Sequence, residues 1–194
     1  MKVREELPAL LSSMGLTDRG VEVGTYEAYF ARIILDGWGG TLYMVDPWRQ
    51  MGDDYRDTSN QQDKSVINKA LDTLSGVEDR AIMVRCTSLQ AVSLFPDESL
   101  DFVYIDANHE YSYVLEDMHL WYPKVKKGGL FCGHDYMPSL TYADDEYNKN
   151  TFYPNGEFSG VFGVNAAIRD FAKGRDIEYQ YTDEHWATWY TVKK

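Results

Sequence analysis

The sequence predicts an α/β domain built of βαβ units around a mainly parallel sheet, and three observations carry that prediction. Short β-rich runs alternate with helical hydrophobic periods along most of the chain. One central run, 102–105, is continuously apolar, as a strand covered on both faces should be. The last two runs, 177–181 and 186–192, are separated only by Thr182, Asp183, Glu184 and His185, which reads as an antiparallel hairpin closing the sheet. The 194 residues, 44% hydrophobic and 26% charged, suit one globular domain with a sizeable core.

Each element has its own signal. A helix over 4–14 carries Leu7, Leu10, Leu11 and Met14 at i, i+3, i+4 and i+7. Residues 20–23 form the first strand, and the helix over 27–35 is ended by Gly37. The second strand is 41–45. A third helix places Ile67, Ala70, Leu71 and Leu74 on one face and stops at Gly76. Strands over 81–84 and 102–105 follow, then a helix over 111–122 and a fifth strand over 129–133. The last helix sets Val161, Val164, Ile168, Phe171 and Ala172 on one face and ends at Gly174. These helical stripes read as core. Two irregular stretches, about 47–64 and 136–159, follow strand C-terminal ends, where open α/β sheets bind ligands. They read as lid-like loops of a single domain over 1–194.

Charge and composition narrow the function. Nineteen Lys and Arg against 31 Asp and Glu give a net charge of −12. That balance disfavours nucleic acid and anionic membrane surfaces, both of which need cationic protein. A small-molecule substrate is the expected partner. No apolar run is long enough to cross a bilayer, and the first residues lack a secretory pattern. Cys86 and Cys132 are too few for a disulfide scaffold and have no metal-ligand spacing, so a cytoplasmic protein with core cysteines is expected. The amphipathic first helix suits either covering the sheet or pairing two copies, which keeps a homo-oligomer open. His119 and His185 read as structural or surface residues.

Three constellations carry chemistry. In Glu22-Val23-Gly24-Thr25-Tyr26 a strand ends at a glycine that lets backbone approach a ligand, and the following helix presents free N–H groups. Asp46 ends the next strand, where a carboxylate accepts both hydrogens of a ribose diol. The turn lacks the three glycines that seat a pyrophosphate, and Glu22 adds negative charge. A nucleoside bearing cationic groups therefore fits better than a dinucleotide, and S-adenosylmethionine has that character. Asp106, Asn108 and His109 follow the fourth strand, and His134 and Asp135 the fifth. Neighbouring strand ends bring these carboxylates together as a site for Mg²⁺ or another divalent metal, or as a general-base pair. The bland reading, that rim carboxylates only cap helices, holds equally well for each residue taken singly.

In this order and spacing the residues resemble a class I S-adenosylmethionine-dependent methyltransferase. They are similar to the small metal-dependent O-methyltransferase branch that includes macrocin-type sugar methyltransferases, with catechol O-methyltransferase more distant. The motifs are Val21-Glu22-Val23-Gly24, Val45-Asp46-Pro47-Trp48, the run from Asp101 through Asp106 to His109 and Tyr111, and Lys127-Gly128-Gly129-Leu130 leading to His134-Asp135-Tyr136. The resemblance covers about 18–175. It implies a Rossmann-like, doubly wound, seven-stranded sheet with the last strand antiparallel and helices on both faces. It implies that Glu22, Gly24, Thr25 and Tyr26 line the methionine end of the cofactor, that Asp46 with Trp48 holds the ribose, and that Cys86, Thr87 and Ser88 meet adenine. Asp106 corresponds to a metal ligand that also borders the cofactor, and Asp135 to a second ligand. The family pair at the fifth strand is Asp-Asp or Asp-Asn. Here it is His134-Asp135, and a histidine there suits either a borderline metal or a metal-free base.

The reaction expected is methyl transfer to a hydroxyl oxygen of a small molecule of sugar or natural-product type, with Asp106, His109 or His134 taking the proton. Aromatics mixed with carboxylates over 142–158 and 48–57 suit a neutral polyol, sugar or amine. An NAD-dependent oxidoreductase on a related fold is the alternative, against which the missing glycines count. A non-catalytic cofactor-binding module is another, against which Glu22, Asp46, Asp106 and Asp135 count. A hydroxylase would need a 2-His-1-carboxylate triad that is not evident.

Overall fold

The structure, a computed structural model, describes residues 1–52, 55, 64–140, 152–153 and 160–194. A single 3₁₀ turn, Arg4–Glu6, leads into α1 (Leu7–Ser13). Then come β1 (Arg19–Val23), α2 (Tyr29–Gly37), β2 (Thr41–Val45), α3 (Lys64–Thr73), β3 (Ala81–Val84), α4 (Ser88–Ala91) and β4 (Leu100–Ile105). The second half holds α5 (Tyr111–Trp121), β5 (Val125–Tyr136), β6 (Phe152–Tyr153), β7 (Gly160–Val161), α6 (Val164–Lys173), β8 (Gln180–Tyr181) and β9 (Ala187–Val192).

Seven of the strands form one sheet in the order β3-β2-β1-β4-β5-β9-β8. The strands from β3 to β5 pair in parallel, and β9 runs antiparallel between β5 and β8. The expected doubly wound sheet with an antiparallel last strand is therefore present. Alternation along β4 shows how two cores are made from one strand. Phe102 and Tyr104 join Leu7, Leu11, Ile34 and Leu35 on one face. Val103 and Ile105 join Trp121, Phe131, Ile168 and Phe171 on the other. α1, α2 and α3 cover the first face, and α5 and α6 cover the second. The reversal of strand order between β1 and β4 opens a crevice at their C-terminal ends.

Several expectations need correction. α2 begins at Tyr29 rather than residue 27, because Ala28 takes a left-handed backbone conformation with φ 62°. Leu71 is 54% exposed, because the buried face of α3 runs through Val66, Ala70 and Leu74 instead. Val161 belongs to β7, opposite Phe152, and not to the last helix. β5 runs on through His134 and Asp135 to Tyr136, three residues beyond the expected end. Cys132 is buried and Cys86 partly so, both as free thiols, and His119 and His185 lie exposed against Phe171 and Trp186. Most of the two lid-like stretches, 53–54, 56–63, 141–151 and 154–159, falls outside the described residues. Among the described residues no helix is long and apolar enough to cross a membrane.

Candidate functional site

Two adjoining cavities open at the ends of β1, β2 and β4, and they share Gly24, Tyr26, Asp106 and Ala107. The first, of about 260 Å³, runs from Gly24 past Asp46 to Thr87, Ser88 and Asp117. The second, of about 390 Å³, is bounded by Glu22, Thr25, Glu27, Phe30, His109 and Arg4.

The turn from β1 to α2 is strained, and Asp46 holds it. Gly24, Tyr26 and Ala28 all have positive φ, and so does Trp48 after β2. The Asp46 carboxylate, itself only 2% exposed, accepts from the backbone N–H groups of Thr25 (3.2 Å), Tyr26 (2.9 Å) and Trp48 (2.7 Å). The Trp48 indole then donates to the Tyr26 carbonyl at 2.8 Å. Two departures from expectation follow. The N–H groups of Thr25 and Tyr26 are already taken by Asp46, so they are not presented to a ligand. The Trp48 ring is buried in the core and borders neither cavity, so it acts by fixing Tyr26. Gly24 is required by its φ of 88° and by contact: a Cβ there would collide with the Asp106 carbonyl oxygen. Asp46 lines the first cavity while bonded to three amides.

The far end of the first cavity holds a relay. Trp121 Nε1 donates to Ser88 Oγ at 2.8 Å, and Ser88 donates in turn to Asp117. Burial pushes the Asp117 carboxyl up to about 7, against the opposing bond from Ser88. Thr87 caps α4 in a reciprocal capping box with Gln90. Tyr55 and Tyr113 meet edge to face at 5.4 Å over the opening. Sequence reasoning missed Asp117. Its signal was a carboxylate set among Val114, Met118 and Trp121 on the inward face of α5.

Behind Asp106, which borders both cavities, its side chain converges with those of His134 and Asp135, which border neither, with ligand atoms within 4.8 Å of one another. Asp135 is held on both oxygens, Oδ2 against His109 Nε2 at 2.7 Å and Oδ1 against His134 Nδ1 at 3.1 Å. Burial works against its charge, yet these two imidazoles hold its carboxyl well below the ordinary range. Asp106 is raised to about 6, first by burial and then by Asp135, with His134, His109 and Arg4 opposing. For His134, burial disfavours the charged ring, but Asp106 and Asp135 together outweigh it and raise the pKa. Of the three expected proton acceptors, Asp106 and His109 border the second cavity, whereas His134 borders neither and backs the other two.

Arg4 is the residue least visible in sequence. Its backbone N–H donates to Glu184 at 2.9 Å, and the Asp183 N–H donates to the Lys2 carbonyl at 2.7 Å, so the first residues are tied to the turn between β8 and β9. Its guanidinium lies 4.9 Å above the Phe30 ring and contacts His134 Nε2 at 3.4 Å. Burial disfavours the charge, but Tyr104, Asp106 and Glu5 hold the pKa above its ordinary value.

Three buried polar atoms here lack a partner among the described residues, Glu22 Oε2 and Thr25 Oγ1 in the wall of the second cavity and Asn108 Nδ2 in that of the first. Burial raises the Glu22 carboxyl well above its usual range, and Thr25 and Arg4 offset only part of that. An uncompensated buried acceptor and donor on either side of Gly24 suit a ligand carrying both an amine and hydrogen-bond acceptors.

A family model described as a methyltransferase domain matches residues 20–136. Among curated proteins none matches this sequence significantly. Solved structures match in fold. An O-methyltransferase from Bacillus cereus, in complex with S-adenosylhomocysteine, is 14% identical with a TM-score of 0.64, covering 98% of this chain and 80% of its own. The O-methyltransferase TomG from Streptomyces achromogenes, involved in tomaymycin synthesis and solved with S-adenosylmethionine, is 15% identical at 0.63 over the same shares, 98% and 80%. Spermidine synthase from Thermotoga maritima, 16% identical at 0.62, covers 98% of this chain and 59% of its own.

Proposed function

Because the chain belongs to the methyltransferase-domain family and is a class I S-adenosylmethionine-dependent methyltransferase, we propose that it transfers the methyl group to a hydroxyl oxygen of a small molecule. The observation that carries this reading is the pair of proton acceptors, Asp106 and His109, on the wall of the second cavity beside Gly24.

The first cavity is assigned to the cofactor. S-adenosylmethionine, when bound, supplies an electrophilic methyl on a sulfonium. Its amino group would reach past Gly24 to Glu22 Oε2 at the edge of the second cavity, which would accept from it. Asp46, held by backbone N–H groups, would receive the ribose hydroxyls. Thr87, Ser88 and Asp117 bound the base.

The second cavity is assigned to the acceptor, between the rings of Tyr26, Tyr29 and Phe30 and the charged edge of Asp106, His109 and Arg4. A neutral sugar or polyphenol fits stacking walls with a few polar groups. A hydroxyl at its resting pKa is a weak nucleophile, so a base must take its proton as the methyl moves. His109 is the base we favour. Asp135 orients its ring at 2.7 Å and stabilises the charged form it reaches after accepting the proton. Asp106 adds negative charge beside that ring and positions the hydroxyl.

Calorimetric titration with S-adenosylhomocysteine tests the cofactor assignment. Binding in the micromolar range, about −8 kcal/mol, is expected. No binding, or preference for NAD, would overturn it. The acceptor assignment is tested by methyl-labelled S-adenosylmethionine against panels of sugar, polyphenol and amine acceptors. Labelled ethers support oxygen transfer, and labelled amines alone overturn it.

A further inference from the structure

We propose that Arg4 is the resident cation of the acceptor site, standing in for a divalent metal at the Asp106–His134–Asp135 cluster. The cluster has the residue types and spacing of a metal site. Its donors, however, are already partnered. A metal facing Asp106 and Asp135 would have to use His134 Nδ1, the ring nitrogen that lies toward both carboxylates, at 3.9 and 3.1 Å. The other nitrogen, Nε2, faces the Arg4 guanidinium, which can only donate. A neutral His134 therefore carries its proton on Nδ1, and a charged one carries protons on both. In either form the nitrogen needed for ligation bears hydrogen. Asp135 is engaged on both oxygens by imidazoles. Asp106 is the one remaining carboxylate, and Arg4 is near enough for each to favour the other's charge.

Arg4 also has the placement the role requires. Its side chain borders the second cavity together with Asp106 and His109. Phe30 supports the guanidinium from one side, and the tie to Glu184 fixes its backbone. A fixed cation in a partly water-free wall stabilises an alkoxide forming on the acceptor, which is the electrostatic service a metal would render. A second cation in the same space would be repelled. This role in transfer rests on the methyltransferase reading, but the exclusion of metal does not.

The test is titration with Mn²⁺ alone, followed by electron paramagnetic resonance, on wild type, Arg4→Met, Arg4→Lys, Asp106→Asn and the double variant Arg4→Met with Asp106→Asn. Expected are no saturable binding to wild type or Arg4→Lys below about 1 mM, and at least tenfold tighter binding to Arg4→Met, lost again in the double variant. The lysine variant separates charge from hydrogen bonding. Micromolar Mn²⁺ binding to wild type that Asp106→Asn abolishes would overturn the proposal, and so would an Arg4→Met variant that gains nothing. S-adenosylhomocysteine titration on the same samples is the separate control. Its retention shows that Arg4→Met is folded, and its absence in wild type counts against the cofactor assignment while leaving the metal result readable. If Arg4→Met does not fold, Arg4→Gln, which removes the charge but keeps a polar head, takes its place with the same expected gain.

Discussion

Two aspartates that follow neighbouring strands of one sheet are used in opposite ways. Asp46, after β2, is held by three backbone N–H groups and fixes the path of two strained turns. Asp106, after β4, sits among Arg4, His134, His109 and Asp135 and is raised toward neutrality. The first is part of the scaffold that happens to face a ligand. The second belongs to a charge cluster whose members depend on one another. Backbone-bonded carboxylates make a rigid cofactor seat, whereas side-chain pairs leave protons free to move.

That contrast predicts different failures. Asp106→Asn should lower methyl transfer by about a thousandfold, within the range of a lost acid–base or electrostatic partner. Binding of S-adenosylhomocysteine should stay within about threefold. Single-turnover transfer beside calorimetry reads both, and a parallel loss of binding would erase the distinction between the two aspartates. Asp46→Ala should do the reverse. Three backbone N–H groups lose a charged acceptor, so stability should fall by about 3 kcal/mol and cofactor affinity by about a hundredfold. Thermal melts and calorimetry check this, and an Asp46→Asn variant that recovers only part of the loss would show that the charge matters.

Asp117 sharpens the comparison from a third position, with the smallest effect. Its pKa in the fold is raised to about 7, above the value near 4 of an unfolded carboxyl. Below about pH 4 both states are protonated and the group contributes nothing. Between about 4 and 7 the unfolded chain releases the proton while the folded one keeps it, so folding stability falls as pH rises, and the loss levels off above 7. Asp117→Asn removes that slope. Chemical denaturation at pH 5 and pH 8 should show the variant gaining on wild type by about 2 kcal/mol across the interval. An unchanged difference would mean that Asp117 is ionised in the fold throughout.

Much of the fold was legible because its signals are local. The alternation of β-rich runs and amphipathic periods placed the parallel strands, and the close spacing of the last two runs announced the antiparallel pair of β8 and β9, though not the position of β9 beside β5. Strand-end carboxylates were legible for the same reason, since each marks its own boundary. Leu71 misled because an apolar residue at helical spacing cannot report which side of the helix meets the sheet, and Val161 because the same spacing carries on into a strand just before the helix begins. Trp48 misled because the motif gives its position but not its rotation into the core. Arg4 was out of reach. Nothing near residue 4 signals contact with residue 134 or 184, and only the folded chain brings them together.

The tie between the first residues and the turn before β9 sets an order on how the enzyme comes into being. Glu184, the anchor of Arg4, is made 180 positions after it. The parallel strands β1 to β5 are all synthesised in that interval. The cofactor seat proposed at Asp46 and Gly24 can therefore form on the nascent chain before the proposed acceptor wall does. A cofactor bound to such an intermediate would meet a wall without Arg4, and on the proposed role of that residue methyl transfer would wait until these two distant segments have met.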